Sequence, residues 1–169
     1  EFFTINEQIF TKKTISNFYK PLAVKASLKP VDPAEYNQKR RQLLETKTYL
    51  DYDEGEITYQ YKLARFSGAD LYCVDIIGTS DSKEHGIIAV ERMDLNRVII
   101  KEALVADDFL IAALKSLSLI LPAQEYLLRT PSFTSINSKK TLKPFGVIKA
   151  FTDEKLIVEG SGYLGLAFD

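Results

Sequence analysis

One cysteine and one histidine in 169 residues leave little material for redox or metal chemistry. Cys73, alone, can form no internal disulfide. In the apolar run LYCVDII it reads as a buried, inert thiol. One His, one Cys and scattered acids supply no metal-ligand spacing. No run of roughly 18 apolar residues occurs, so no helical membrane span is expected. No basic start followed by an apolar stretch marks a signal peptide, and a cytoplasmic setting is the expectation. Neither sign of charge is in excess: 22 basic and 23 acidic residues leave a net charge of −1. That balance argues against a dedicated nucleic-acid binder. No Walker-type GxxxxGK[ST] loop and no Ser/His/Asp arrangement can be found.

What is present suits a mixed helix-and-strand domain. Apolar residues make up 46%. A chain of this length buries about 70% of its unfolded surface, so its core needs no staples. The opening EFFTINEQIF has no Met and an apolar character, which reads as a fragment of a longer protein rather than as tag removal. Residues 1–20 are expected to form an arm or a domain linker, and 21–169 the domain itself.

Residues 21–29, PLAVKASLK, alternate Leu22, Val24, Ala26 and Leu28 against Ala23, Lys25, Ser27 and Lys29, the period of a half-buried strand. Asp32 can then cap a helix that has Pro33 at its first position and Glu35 at its third. Tyr36, Leu43 and Leu44 are expected to face inward, with Lys39, Arg40 and Arg41 on a solvated face. A second helix is expected over 53–68, with Ile57, Tyr61 and Ala64 or Arg65 on one face and Gly68 at its end. From residue 70 the runs DLYCVDIIG, GIIAVER and RVIIKEALV, joined by TSDSKEH and MDLN, predict an antiparallel meander. The third run is apolar on both faces and should lie centrally. A helix follows over 107–121, with Leu110, Leu114, Leu117 and Leu121 in one stripe and Pro122 as its stop. EYLLRT (125–130) is then a strand expected to pair in parallel with 98–105. PSFTSINSKKTLK (131–143) reads as a polar loop. PFGVIKAF and GYLGLAFD are strand candidates.

This order of elements resembles that of the GNAT (N-acetyltransferase) superfamily. Two stretches carry the likeness. GIIAVERMDLNRVIIKEALVADDFLIAALKSL (86–117) resembles the central hairpin and following helix of GNAT-like domains in tandem bacterial acetyltransferases. KPFGVIKAF followed by GYLGLAFD resembles the closing segment of the second domain in such proteins. The resemblance covers about 21–169. It implies an α+β fold built on a mixed sheet splayed after the long central strand. In active members that splay admits the pantetheine arm of acetyl-CoA. The turn after it carries a Gln/Arg-x-x-Gly-x-Gly/Ala motif, whose amides and helix N-terminus hold the pyrophosphate.

Here the corresponding turn is VADDF, without glycine, arginine or glutamine. Leu104, Val105, Asp107 and Asp108 occupy the cofactor-binding positions. The two aspartates are expected to cap the helix and so to occupy the donors that a pyrophosphate would use. They would also repel a diphosphate by on the order of a kcal/mol or more each. This domain is therefore expected to need no cofactor, with acetyl-CoA the cofactor if it is active.

The resemblance places a general base at Glu102 and an acid at Tyr126, although Tyr126 falls within its strand rather than beyond it. The competing reading of Glu102 is a strand-end carboxylate paired with Lys101 or Arg97. Tyr163 is expected in the core or at an interface, and His85 in a solvated turn. Lys139, Lys140 and Lys143 fit a solvated loop better than a nucleotide 3′-phosphate site.

Three functions remain open at this point. The first is a degenerate, non-catalytic half of a tandem acetyltransferase. Its partners would be an N-terminal acetyltransferase domain of the same protein or a second copy, with no nucleic acid and no membrane. The second is an active acetyl-CoA-dependent N-acetyltransferase with an atypical loop. The third is an α+β module outside the superfamily that binds a peptide along its sheet edge.

Overall fold

The structure, a computed structural model, describes residues 2–17, 24–77, 83–132, 134, 141–147 and 162–166. Among these residues it is a mixed sheet of seven strands with four helices. The elements are β1 (Phe2–Thr11), α1 (Lys12–Ser16), β2 (Lys25–Pro30), α2 (Pro33–Leu44), α3 (Glu54–Phe66), β3 (Leu71–Ile77), β4 (Lys83–Arg92), β5 (Arg97–Leu104), α4 (Asp107–Ile120), β6 (Glu125–Pro131) and β7 (Thr141–Val147). The strand order is β2-β3-β4-β5-β6-β1-β7. Every neighbouring pair is antiparallel except β5 and β6. Among the described residues no helix is long and apolar enough to cross a membrane.

Local chemistry places most of these elements. Asp32 accepts from the Glu35 amide at the start of α2, with Pro33 at the first helical position. Asp53 and Glu56 form a reciprocal capping box on α3, and Gly68 follows the helix at φ +80°. β3, β4 and β5 form the expected meander, and β5 is buried along nearly its whole length. The Leu110, Leu114, Leu117 and Leu121 stripe of α4 is buried, worth about 1.5–3 kcal/mol for each side chain.

The sheet separates two apolar layers. α4 packs on one face over Val74, Ile88, Val98, Ile100, Ala103, Tyr126 and Leu128. On the other face Tyr36, Leu44, Tyr52, Ile57, Tyr163 and Leu166 cover Leu71, Cys73, Ile87, Ala89 and Leu104. Two local features set what faces where. First, the register of β4 against β5 passes from Ala89↔Glu102 to Val90↔Ile100, so Lys101 is an extra residue, a β-bulge. Before the bulge Val98 and Ile100 face α4; after it Ala103 does, and Glu102 and Leu104 turn to the opposite face. Second, the parallel ladder spans only Arg97↔Glu125 to Ile100↔Leu128, whereas β5 runs on to Leu104 and β6 to Pro131. The strands part at the bulge, five residues earlier than the pairing of 98–105 predicts.

Three expectations change. Residues 2–11, read as part of an arm, form a full strand paired with both β6 and β7. The alternation in this stretch is broken by polar residues, so a strand completed by two distant partners left no clear period. GYLGLAFD is not a named strand: its described part, 162–166, makes a single bridge, Tyr49↔Tyr163, and enters the left-handed region at Gly165 (φ +54°) and Leu166 (φ 26°). The segment 131–143 is not wholly loop, because β6 ends at Pro131 and β7 starts at Thr141.

Gly86 marks the closest approach of β4 to β5. A methyl group there would lie 2.8 Å from both the Leu104 carbonyl oxygen and Val105 Cγ2. We expect Gly86→Ala to destabilise the chain by about 1–3 kcal/mol through overpacking. Urea unfolding checks this, and an unchanged midpoint would refute the close approach.

Candidate functional site

α2 carries Tyr36, Arg40 and Leu44 at i, i+4 and i+8, so all three lie on one side of the helix and are buried. Arg40, expected on a solvated face, has no exposed surface at all, whereas Leu43, expected inward, is 41% exposed. The reason lies across the domain. The bulge at Lys101 turns Glu102 toward α2, where an ammonium or guanidinium group is required to offset it.

The resulting cluster is enclosed. Glu102 is fully buried. Its Oε1 accepts from Arg40 Nε at 3.0 Å and its Oε2 accepts from the Tyr36 hydroxyl at 2.7 Å. The Tyr163 hydroxyl also hydrogen-bonds the carboxylate. Arg40 Nη1 donates to the Leu50 carbonyl at 3.0 Å. The guanidinium carbon lies 4.9 Å from the Tyr52 ring centroid and 5.5 Å from that of Tyr49, contacts that partly offset the loss of hydration.

Residues 162–166 close the cluster from outside. The Tyr163 amide donates to Thr48 and its carbonyl accepts from the Leu50 amide. The Tyr52 hydroxyl lies 2.9 Å from the carbonyls of both Leu164 and Gly165. Gly165 rests directly on the carboxylate: a side chain there would collide with Glu102 Oε1 and with the Tyr163 ring.

Burial first, then the Glu102 charge and the hydrogen bond to it, push the Tyr36 hydroxyl well above its ordinary pKa. Burial and the Glu102 charge likewise hold Tyr163 well above its own. Burial raises Tyr52 to about 12. Both tyrosines that bind Glu102 therefore stay protonated donors across the physiological range. The arrangement holds a carboxylate and a guanidinium in one fixed geometry, without solvent contact.

The other candidate residues lie elsewhere. Neither Lys101 nor Arg97 pairs with Glu102, as the competing reading required. Lys101 pairs with Glu91 and Arg97 with Glu125, each at 3.2 Å. Tyr126 is buried on the α4 face, so the sheet stands between it and Glu102. Its hydroxyl donates to the Leu121 carbonyl and accepts from the Ala123 amide, tying down the link from α4 to β6. Leu104 and Val105 are buried on opposite faces of the sheet.

Asp107 and Asp108 do not cap α4. The cap position is Ala106, with no side-chain hydrogen bond, and the aspartates fill the first turn. A capping side chain must precede the first helical residue, and here the chain turns helical one residue too early for Asp107 to serve. Their charges still favour the positive end of the helix and oppose any incoming anion.

His85 lies in β4 opposite Asp75, rather than at the end of a turn, and its side chain is outside the described residues. Lys143 lies in β7 and pairs with Glu7; Lys139 and Lys140 are outside the described residues. Cys73 is buried, and burial, the largest effect on it, raises its thiol pKa. No group of three or more His, Cys, Asp and Glu residues that could hold a metal ion occurs among the described residues.

Sequence reasoning missed Arg40, Tyr49 and Tyr52. The available signal was the 36/40/44 spacing, which puts Arg40 on the buried stripe.

No protein-family model and no curated protein matches this chain.

Two outcomes follow from the cluster. Glu102→Ala strands a buried guanidinium and should cost about 3–5 kcal/mol, whereas Arg40→Met with Glu102→Leu should recover most of that loss. Chemical denaturation of the three proteins decides it, and a single variant within about 1 kcal/mol of the parent would contradict the clamp. Because Tyr36 and Tyr163 hold their protons more tightly when folded, their contribution is intact below the ordinary tyrosine pKa of about 10 and is lost as pH rises beyond it. Unfolding free energy should therefore fall above about pH 10, less steeply in Tyr36→Phe than in the parent. Equal slopes would count against this origin.

Proposed function

We propose that this chain is a GNAT-like domain that has lost its cofactor chemistry, and that it acts by shaping a substrate site or by pairing with another domain. The carrying observation is the enclosure of Glu102. A general base must reach an amine or a water molecule, and this carboxylate is fully buried, paired with Arg40 and held by two tyrosine hydroxyls. Tyr126, the acid candidate, is on the other side of the sheet and occupied by backbone groups.

The superfamily reading itself draws support from the element order and from the parting of β5 and β6 after Ile100 and Leu128. The opening that would receive a pantetheine arm leads to a helix start with two aspartates and no glycine. A chain of this kind would rely for acetyl transfer on an acetyltransferase domain preceding it in the same protein.

One observation favours the second reading, an active enzyme with an atypical loop. The cap position of α4 is Ala106, whose methyl side chain cannot accept from the amides at the helix start. Isothermal titration with acetyl-CoA separates the two. We expect no heat at about millimolar cofactor; binding at about micromolar concentration would overturn the degenerate reading in favour of the active one.

A further inference from the structure

The end of the sheet where β4 turns into β5 carries an unusual share of the exposed apolar side chains. Leu95 is 86% exposed, Met93 58%, Phe66 95%, Leu119 83%, Ile120 49% and Ile9 59%. They come from four places in the chain, and backbone contacts gather them at one pole. The Arg92 amide donates to Ser67 Oγ, bringing the end of α3 with Phe66 beside the end of β4. The Arg92 guanidinium donates to the carbonyls of Leu95 and Pro122, joining the turn to the end of α4 with Leu119 and Ile120. Ile9 and Met93 line one pocket with Val98, Leu127, Arg97 and Glu125.

We propose that this pole is a homodimer interface, with a second copy of the chain as its occupant. Area supports a protein partner. At roughly 180 Å² for a fully exposed large apolar side chain, these six present on the order of 750 Å². That exceeds the patch of about 300–600 Å² that a monomer usually shows and approaches the roughly 800 Å² that each side of a stable complex buries.

Self-complementarity selects the second copy. A two-fold interface needs a knob and a hole on the same surface, with charges that can exchange across the axis. Leu95, 86% exposed, follows two residues after Met93, which lines a pocket with Glu7, Ile9, Val98 and Leu127; its volume is about 230 Å³ and admits a leucine side chain. Arg97 and Glu125 rim the same pocket as an exposed pair 3.2 Å apart. The two-fold mate presents the identical pair, so each arginine meets the other copy's glutamate. The inference stands apart from the superfamily assignment, which concerns the opposite end of β5.

Sedimentation equilibrium of the whole chain from about 1 to 200 μM tests it. We expect a dimer, with Leu95→Glu and Leu119→Glu each weakening association by about thirtyfold or more. Both sites are exposed, so circular-dichroism spectra of the variants should match the parent's, and any fall in melting temperature should follow the lost association. Leu43→Glu, 41% exposed on α2 away from the pole, should leave association unchanged. A chain that stays monomeric at the highest concentration overturns the proposal, as does a dimer indifferent to both pole substitutions. A different protein covering the pole would give the first of these results.

Discussion

The pairing of Glu102 with Arg40 is the constraint on which the layer beneath α2 depends. Neither side chain has any exposed surface. Two ions taken fully out of water are tolerated only when their geometry is good and their remaining lone pairs and protons are satisfied. Here Tyr36 and Tyr163 complete the carboxylate, while the guanidinium meets the Leu50 carbonyl and the rings of Tyr49 and Tyr52 and leaves one nitrogen, Nη2, without a hydrogen-bond partner among the described residues. Those partners come from α2, from residues 49–52, from the middle of the sheet and from residues 163–165. One ion pair therefore fixes the relative position of four chain segments spread between residues 36 and 165. An apolar core could hold the same segments with equal strength, but it would accept small slips that a bonded carboxylate does not.

The pair exists because of a single inserted residue. In a regular strand Glu102 would follow Ile100 onto the α4 face, among leucines and without a counter-charge. The bulge at Lys101 changes the phase, so that Glu102 faces α2 instead. Lys101 itself finds Glu91 as its partner. The parting of β5 from β6 begins at the same place, because a strand that bends and twists at a bulge cannot hold its register with a regular neighbour.

This geometry gives Glu102 a structural role. The groups that could tune Glu102 for proton transfer are committed to holding it still, and Gly165 seals its remaining side. The start of α4 presents carboxylates where an anion would need bare amides. Glu102 and Tyr126 are thus both committed to packing. Among the described residues, a group of exposed apolar side chains lies at the opposite pole, between the ends of β4, α3 and α4.

The amino-acid sequence by itself determined the elements whose signals are local. The Asp32–Pro33–Glu35 start of α2, the meander with its polar turns, the central place of β5 and the leucine stripe of α4 each follow from caps or periodicity within about a dozen residues. The tertiary structure alone decided the rest. Residues 2–11 became a strand because β6 and β7 lie on either side to pair with them. Arg40 was buried because a carboxylate waited 62 residues away, and that carboxylate faced it only through a bulge, which leaves no mark in hydrophobic periodicity. Asp107 missed the cap by one residue, a difference settled by where β5 ends rather than by residue type. Local preferences are energies of a fraction to about one kcal/mol written in neighbouring residues. Burying a charge involves several kcal/mol and is balanced only by a partner that folding brings to it.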